Sequence, residues 1–104
     1  MNRGEILDEA KRLTYGDRNS TYEAPLRNHE RIGVLMGIVL EKYVESAKPG
    51  EEVPPATVAL LMACVKLCRL SAQSDHLDSA IDGAAYFSIA GELATINNLG
   101  KETK

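Results

Sequence analysis

Two cysteines and two histidines are all the thiol and imidazole groups this 104-residue chain contains. Cys64 and Cys68 stand four apart, with no histidine or further cysteine at zinc-finger spacing, which excludes a structural zinc site. They read instead as small apolar residues on one helix face, reduced in a cytoplasmic setting. No uninterrupted apolar run reaches the roughly 18 residues of a membrane span. Met1-Asn2-Arg3-Gly4-Glu5 lacks the apolar core of a signal peptide, so none is expected. The chain shows no low-complexity tract, repeat or strand-like alternation. It also has no P-loop, dinucleotide fingerprint or nucleophile motif. A net charge of -3 and a pI near 5.3 argue against non-specific binding to duplex nucleic acid.

What is present is helical periodicity. The length suits a single domain over residues 1–104, with flexible ends expected at about 1–3 and 99–104. Ile6, Leu7, Ala10 and Leu13 mark a short amphipathic helix over about 4–14. A polar loop with two tyrosines follows, Tyr15 to Tyr22. Pro25 opens a second helix that runs to about Ser46, and Lys48-Pro49-Gly50 breaks it. Pro54-Pro55 opens a third, to about Leu70. After a connector, Asp75 is the expected N-cap of a fourth, which Asn97, Asn98 and Gly100 should end. The expected fold is all-α, a compact bundle of about four helices. Helices three and four carry more apolar and small-residue surface than one short chain hides, so a homo-oligomer joined through them is expected. Gly33 and Gly37 on helix two point to a close helix–helix approach, since each costs about 1 kcal/mol in a helix interior.

The most informative conflict lies in helix three. It is apolar on nearly every face from Val53 to Gln73, yet it carries Lys66 and Arg69. A helix apolar all round expects burial, and buried cations expect partners or a ligand. Asp75, Asp78 and Asp82 follow within a segment free of Lys and Arg. Asp78 and Asp82 share a helix face and suit ion pairs with Lys66 and Arg69, ribose hydroxyls, or Mg²⁺. Residues 11–31 hold Lys11, Arg12, Arg18, Arg27 and Arg31 against Asp17, Glu23 and Glu30. That local excess of two positive charges fits a small anion better than a long polyanion.

The set Gly16-Asp17-Arg18, Tyr22, Asn28, Arg31-Ile32, then Lys66 and Arg69-Leu70, then His76, Asp78-Ser79, Asp82 and Tyr86 resembles a family of short tailed-phage proteins. The resemblance covers about residues 15 to 95. Two positions depart from its pattern: Glu23 stands where the family has glycine, and Met36 where it has an aromatic. The family is in turn distantly similar to MazG-like all-helical nucleotide pyrophosphohydrolases, which hold Mg²⁺ between Glu-x-x-Glu and Glu-x-x-Asp pairs. Here Glu41 and Glu45 have a different spacing, and Asp75, Asp78 and Asp82 supply only the other half of such a cage.

Each candidate also has a plainer reading. Arg18 and Arg31 suit bidentate phosphate binding, although exposed arginines are commonly only solvated. Tyr22 and Tyr86 suit base stacking, or simply a core rim. His76 suits acid–base work, or a surface position in a first helical turn, and Asn28 suits a local hydrogen bond. Together with Lys66, Arg69, Asp78 and Asp82, these residues form the expected ligand set for a small phosphorylated nucleotide. The phage resemblance implies sequestration of a host nucleotide signal in the bacterial cytoplasm. Two alternatives stand beside it: a Mg²⁺-dependent pyrophosphohydrolase using Asp78 and Asp82, and a helical protein–protein module. No cofactor is firmly implied, and Mg²⁺ belongs to the enzyme reading alone. Neither a membrane nor a duplex nucleic acid is an expected partner.

Overall fold

The two prolines at 54 and 55 and the one at 25 do what proline does at a helix start. Each supplies a preset φ where a missing N–H costs nothing. The computed structural model of the chain describes residues 1–15 and 24–102. Among these residues the protein is all-helical, with α1 over Arg3–Tyr15, α2 over Pro25–Ser46, α3 over Pro55–Ala72 and α4 over Leu77–Glu102. Pro25 and Pro55 each occupy the first turn of their helix. Asn97, Asn98 and Gly100 do not stop α4 as expected. Unlike proline, they lower helix propensity by about 1 kcal/mol or less each without forbidding the conformation.

The break between α2 and α3 is a hydrogen-bonded turn. Glu51 donates its N–H to the Lys48 carbonyl at 3.0 Å, and Gly50 adopts φ +79°. Proline second and positive-φ glycine third is the type II pattern. The Glu51 carboxylate accepts the Lys48 N–H at 2.8 Å, and the Tyr43 hydroxyl donates to the Glu51 carbonyl at 3.0 Å. The end of α2 is thereby tied to the turn that follows it.

Helix α3 is the centre of the fold and packs against both α2 and α4, whereas α1 packs against none of the others. The four expected helices are present, but they form a three-helix layer with a separate amphipathic helix rather than a compact bundle of about four. Helix α1 therefore leaves Ile6, Leu7 and Leu13 exposed. Its best-formed contact is internal: Arg12 grips Glu9 and holds that carboxyl below the usual range, by hydrogen bonding first and by its charge second.

By length and composition alone, Pro55–Ala72 is apolar enough to cross a membrane, with a mean hydropathy of 1.5 over 18 residues. In this fold the same segment carries the core. Ala59, Ala63, Cys64 and Cys68 are buried on it, and a short connection folds α4 back beside it. On α4 the buried positions are Ser79, Gly83 and Ala90, with Tyr86 half-buried between them. This spacing of four, three and four forms a narrow seam of small residues. A Cβ added at Gly83 would lie 3.7 Å from the Lys66 Cβ, so the glycine serves packing inside the chain. Gly33 and Gly37 have nothing within 4 Å of where a Cβ would stand. Within the chain, therefore, no close helix approach offsets their cost.

Of the two cations on α3, Lys66 meets Asp82 at 3.1 Å, linking α3 to α4 as the sequence suggested. The Asp82 side chain is about half exposed, at 51%, and pairs of this kind contribute little. Asp82→Asn is accordingly expected to lower the unfolding free energy by less than about 1 kcal/mol, as read from urea titration. Arg69 differs, being only 3% exposed.

Candidate functional site

Helices α2 and α3 run antiparallel, so the start of α2 lies beside the end of α3. Two contacts fix this. The Cys68 thiol points at the Asn28 carbonyl at 3.8 Å, and the Arg31 guanidinium donates to the Ser71 hydroxyl. Ser71 in turn donates to the Cys68 carbonyl at 2.7 Å. Arg31 is thus held at the far end of α3 rather than swinging freely in solvent.

Below this arginine lies a cleft of about 290 Å³, lined by Arg31, Val34, Leu35, Leu67, Cys68 and Ser71. One permanent cation and one hydroxyl stand at its edge, and the remaining walls are apolar. Farther along the same groove is a second hollow of about 150 Å³, where Leu35 and Leu67 continue and Phe87 of α4 closes the side. The first is close to the smallest cavities that hold small molecules, about 300 Å³. Apolar walls with a few convergent polar groups are the usual composition of such sites.

The expected ligand set is thereby divided. Arg31 stands on this cleft, and Asn28 sits one turn earlier on α2, half-buried, its carbonyl facing Cys68. Lys66 and Asp82 pair with each other across α3 and α4. Asp78, one turn before Asp82, is exposed on the side of α4 away from the seam. Tyr86 belongs to the α3–α4 seam and Arg69 to the interior. Arg18 and Tyr22 lie outside the described residues, as does most of the polar loop between α1 and α2. The cleft formed by the described residues lies between α2 and α3. Ser71 and the apolar wall were missed because a serine near a helix end carries no periodic signal.

His76, not Asp75, stands at the N-cap of α4. Its carbonyl accepts the N–H of Ala80 at 3.3 Å, and its ring Nδ1 lies 2.7 Å from the Ser79 hydroxyl. Ser79 is 2% exposed and His76 half-buried, and the pair sits in the first turn of α4. Both cysteines are buried, and burial pushes the Cys64 thiol up in pKa. That keeps it protonated and a poor nucleophile. Asp78 and Asp82 do not complete a cation cage among the described residues. Among the described residues no three of His, Cys, Asp and Glu converge as metal ligands would.

The comparisons with known proteins concern this same stretch of chain. The "Gene 55 protein" of Mycobacterium phage D29 is 37% identical over 81 residues, covering 78% of this chain and 48% of that protein. The "Gene 55 protein" of Mycobacterium phage L5 is 32% identical over 84 residues, covering 81% of this chain and 49% of its own length. The chain thus spans about half the length of these curated relatives. No solved structure matches it. Residues 5–94 match one domain family, a span that takes in α1, α2, α3 and most of α4. With phage proteins among its relatives, the chain belongs to the family described as Domain of unknown function (DUF6378).

Proposed function

We propose that this protein binds a small phosphorylated nucleotide in the cleft between α2 and α3 and holds it without turnover. One observation carries the reading: Arg31, kept in place by Ser71, stands at the rim of an otherwise apolar cleft. A phosphate wants a planar, permanently charged donor, and guanidinium offers several N–H groups in a fixed fork. Val34, Leu35 and Leu67 offer the flat apolar surface that a base needs. The reading extends to sequestering a host nucleotide signal in the bacterial cytoplasm, the setting in which a phage protein would meet one. The same reading includes association of the chain into a homo-oligomer.

Calorimetry against a panel of mononucleotides and cyclic dinucleotides tests the binding. Charge-assisted hydrogen bonds contribute about 1.5–3 kcal/mol, so Arg31→Ala is expected to weaken binding about tenfold or more. Absence of heat with every member of the panel would end the proposal. Release of pyrophosphate with Mg²⁺ would replace it with the pyrophosphohydrolase.

A further inference from the structure

The six charged residues of α2 are Arg27, Glu30, Arg31, Glu41, Lys42 and Glu45. Taken in pairs about Met36, Arg27 mirrors Glu45, Glu30 mirrors Lys42, and Arg31 mirrors Glu41. Every pair is of opposite sign. Turning the helix end for end about its midpoint therefore lays each charge on its complement. The same midpoint relates Val34 to Ile38, which are 66% and 64% exposed.

These positions also share a face. At about 100° per residue, Arg27, Arg31, Val34, Ile38, Glu41 and Glu45 fall within an arc of about 80°. Their alternating spacing of four and three is that of a coiled-coil seam. In an antiparallel pair of such helices each seam residue meets its mirror position. The layers become Arg27 with Glu45, Arg31 with Glu41, and Val34 with Ile38, each occurring twice. A parallel pair would set arginine on arginine and glutamate on glutamate, which is disfavoured.

Val34 and Ile38 stay largely exposed on this face, although Arg31 reaches Ser71 on α3 and both apolar residues rim the hollows there. Ile32, Leu35 and Val39 turn the other side of α2 toward α3, and α1 packs on none of the helices. Gly33 and Gly37, open to 4 Å, border the seam on its outward side.

We infer that a second copy of this chain docks on α2, antiparallel, across a two-fold axis level with Met36. Such an interface is isologous, with one patch serving both copies. It places self-association on α2 rather than on α3 and α4. The inference rests on the homo-oligomer part of the proposed function and not on nucleotide binding. Arg31 and Val34 belong to both the cleft and the seam, so the test is placed on Arg27 and Glu45, which lie outside the cleft.

Sedimentation of the full chain across a micromolar concentration series is expected to show a dimer. Arg27→Glu and Glu45→Arg, each alone, create like-charge layers and are expected to weaken association about tenfold or more. An equimolar mixture of the two variants restores opposite charges in those layers, and a heterodimer near wild-type affinity is expected. That rescue also shows that both variants are folded. A monomeric wild type would overturn this interface together with the homo-oligomer reading. An oligomer untouched by either variant would overturn the interface alone. Weakening without rescue on mixing would show that the two residues do not face each other. Nucleotide calorimetry on the same samples reads the cleft separately.

Discussion

Replacing Arg69 with alanine is expected to lower the free energy of unfolding by about 3–5 kcal/mol, the largest loss of any single substitution considered. The guanidinium lies in the interior, next in sequence to Cys68, which is 1% exposed. It is not without a partner, as a charge taken out of water must not be. Alanine removes the cation, leaves whatever it satisfied in a dry environment, and opens a cavity along α3. Lys66, only three residues earlier, gives the control. Its pair with Asp82 stands in contact with water, so neutralising Asp82 costs little. Arg69→Met divides the effect, because methionine keeps much of the side-chain volume while losing the charge. Urea titration of the three variants should rank them Arg69→Ala, Arg69→Met, Asp82→Asn in order of damage. A loss below about 1 kcal/mol for Arg69→Ala would mean that the guanidinium contributes no more than a surface group.

That contrast also shows where sequence reasoning succeeds. An apolar helix interrupted by two cations did mark the centre of the fold, and one of the cations does meet Asp82. Proline at 25, 54 and 55 and glycine at 50 placed the helix starts and the intervening break, because those residues restrict φ or permit its unusual values. Periodicity gives each helix an apolar face but does not say which neighbour covers it. Hence α1, amphipathic in sequence, was counted into a bundle that it does not join. Small residues carry the same ambiguity. Gly83 and Ala90 face α3 within the chain, while Gly33 and Gly37 face open space, and all four looked alike in sequence.

The site was legible only in part, for a related reason. Charged residues announce themselves by type, so Lys66 and Asp82 were singled out as groups that pair, and Arg31 as a candidate phosphate donor. Their distribution depends on helix register. One turn separates Asp82, which reaches Lys66, from Asp78, which is exposed on the solvent side. His76 illustrates the limit. Its ring serves the N-terminus of α4 through Ser79, a local use that the family pattern of His-x-Asp-Ser does not distinguish from a ligand contact.

The seam between α3 and α4 gives the second large effect. The approach of Gly83 to Lys66 fixes the register of the two antiparallel helices. Extended by one and two turns, that register places Ala63 opposite Tyr86 and Ala59 opposite Ala90. Ala59, Ala63 and Ala90 are all buried, so small residues meet small residues toward the end of α4. Ala90→Leu inserts three carbons where both helices present only methyl groups, and overpacking of this kind costs about 1–3 kcal/mol. Gly83→Ala is expected to act with the opposite sign. Its new methyl reaches the Lys66 Cβ at 3.7 Å, an ordinary contact, and a helix-interior glycine exchanged for alanine gains up to about 1 kcal/mol. Two enlargements on one face thus move stability in opposite directions, according to the space each meets. Urea midpoints with unchanged slopes would confirm that both act on the folded chain. A neutral or stabilising Ala90→Leu would show that the seam is open at that end, and α4 would then have room to shift against α3.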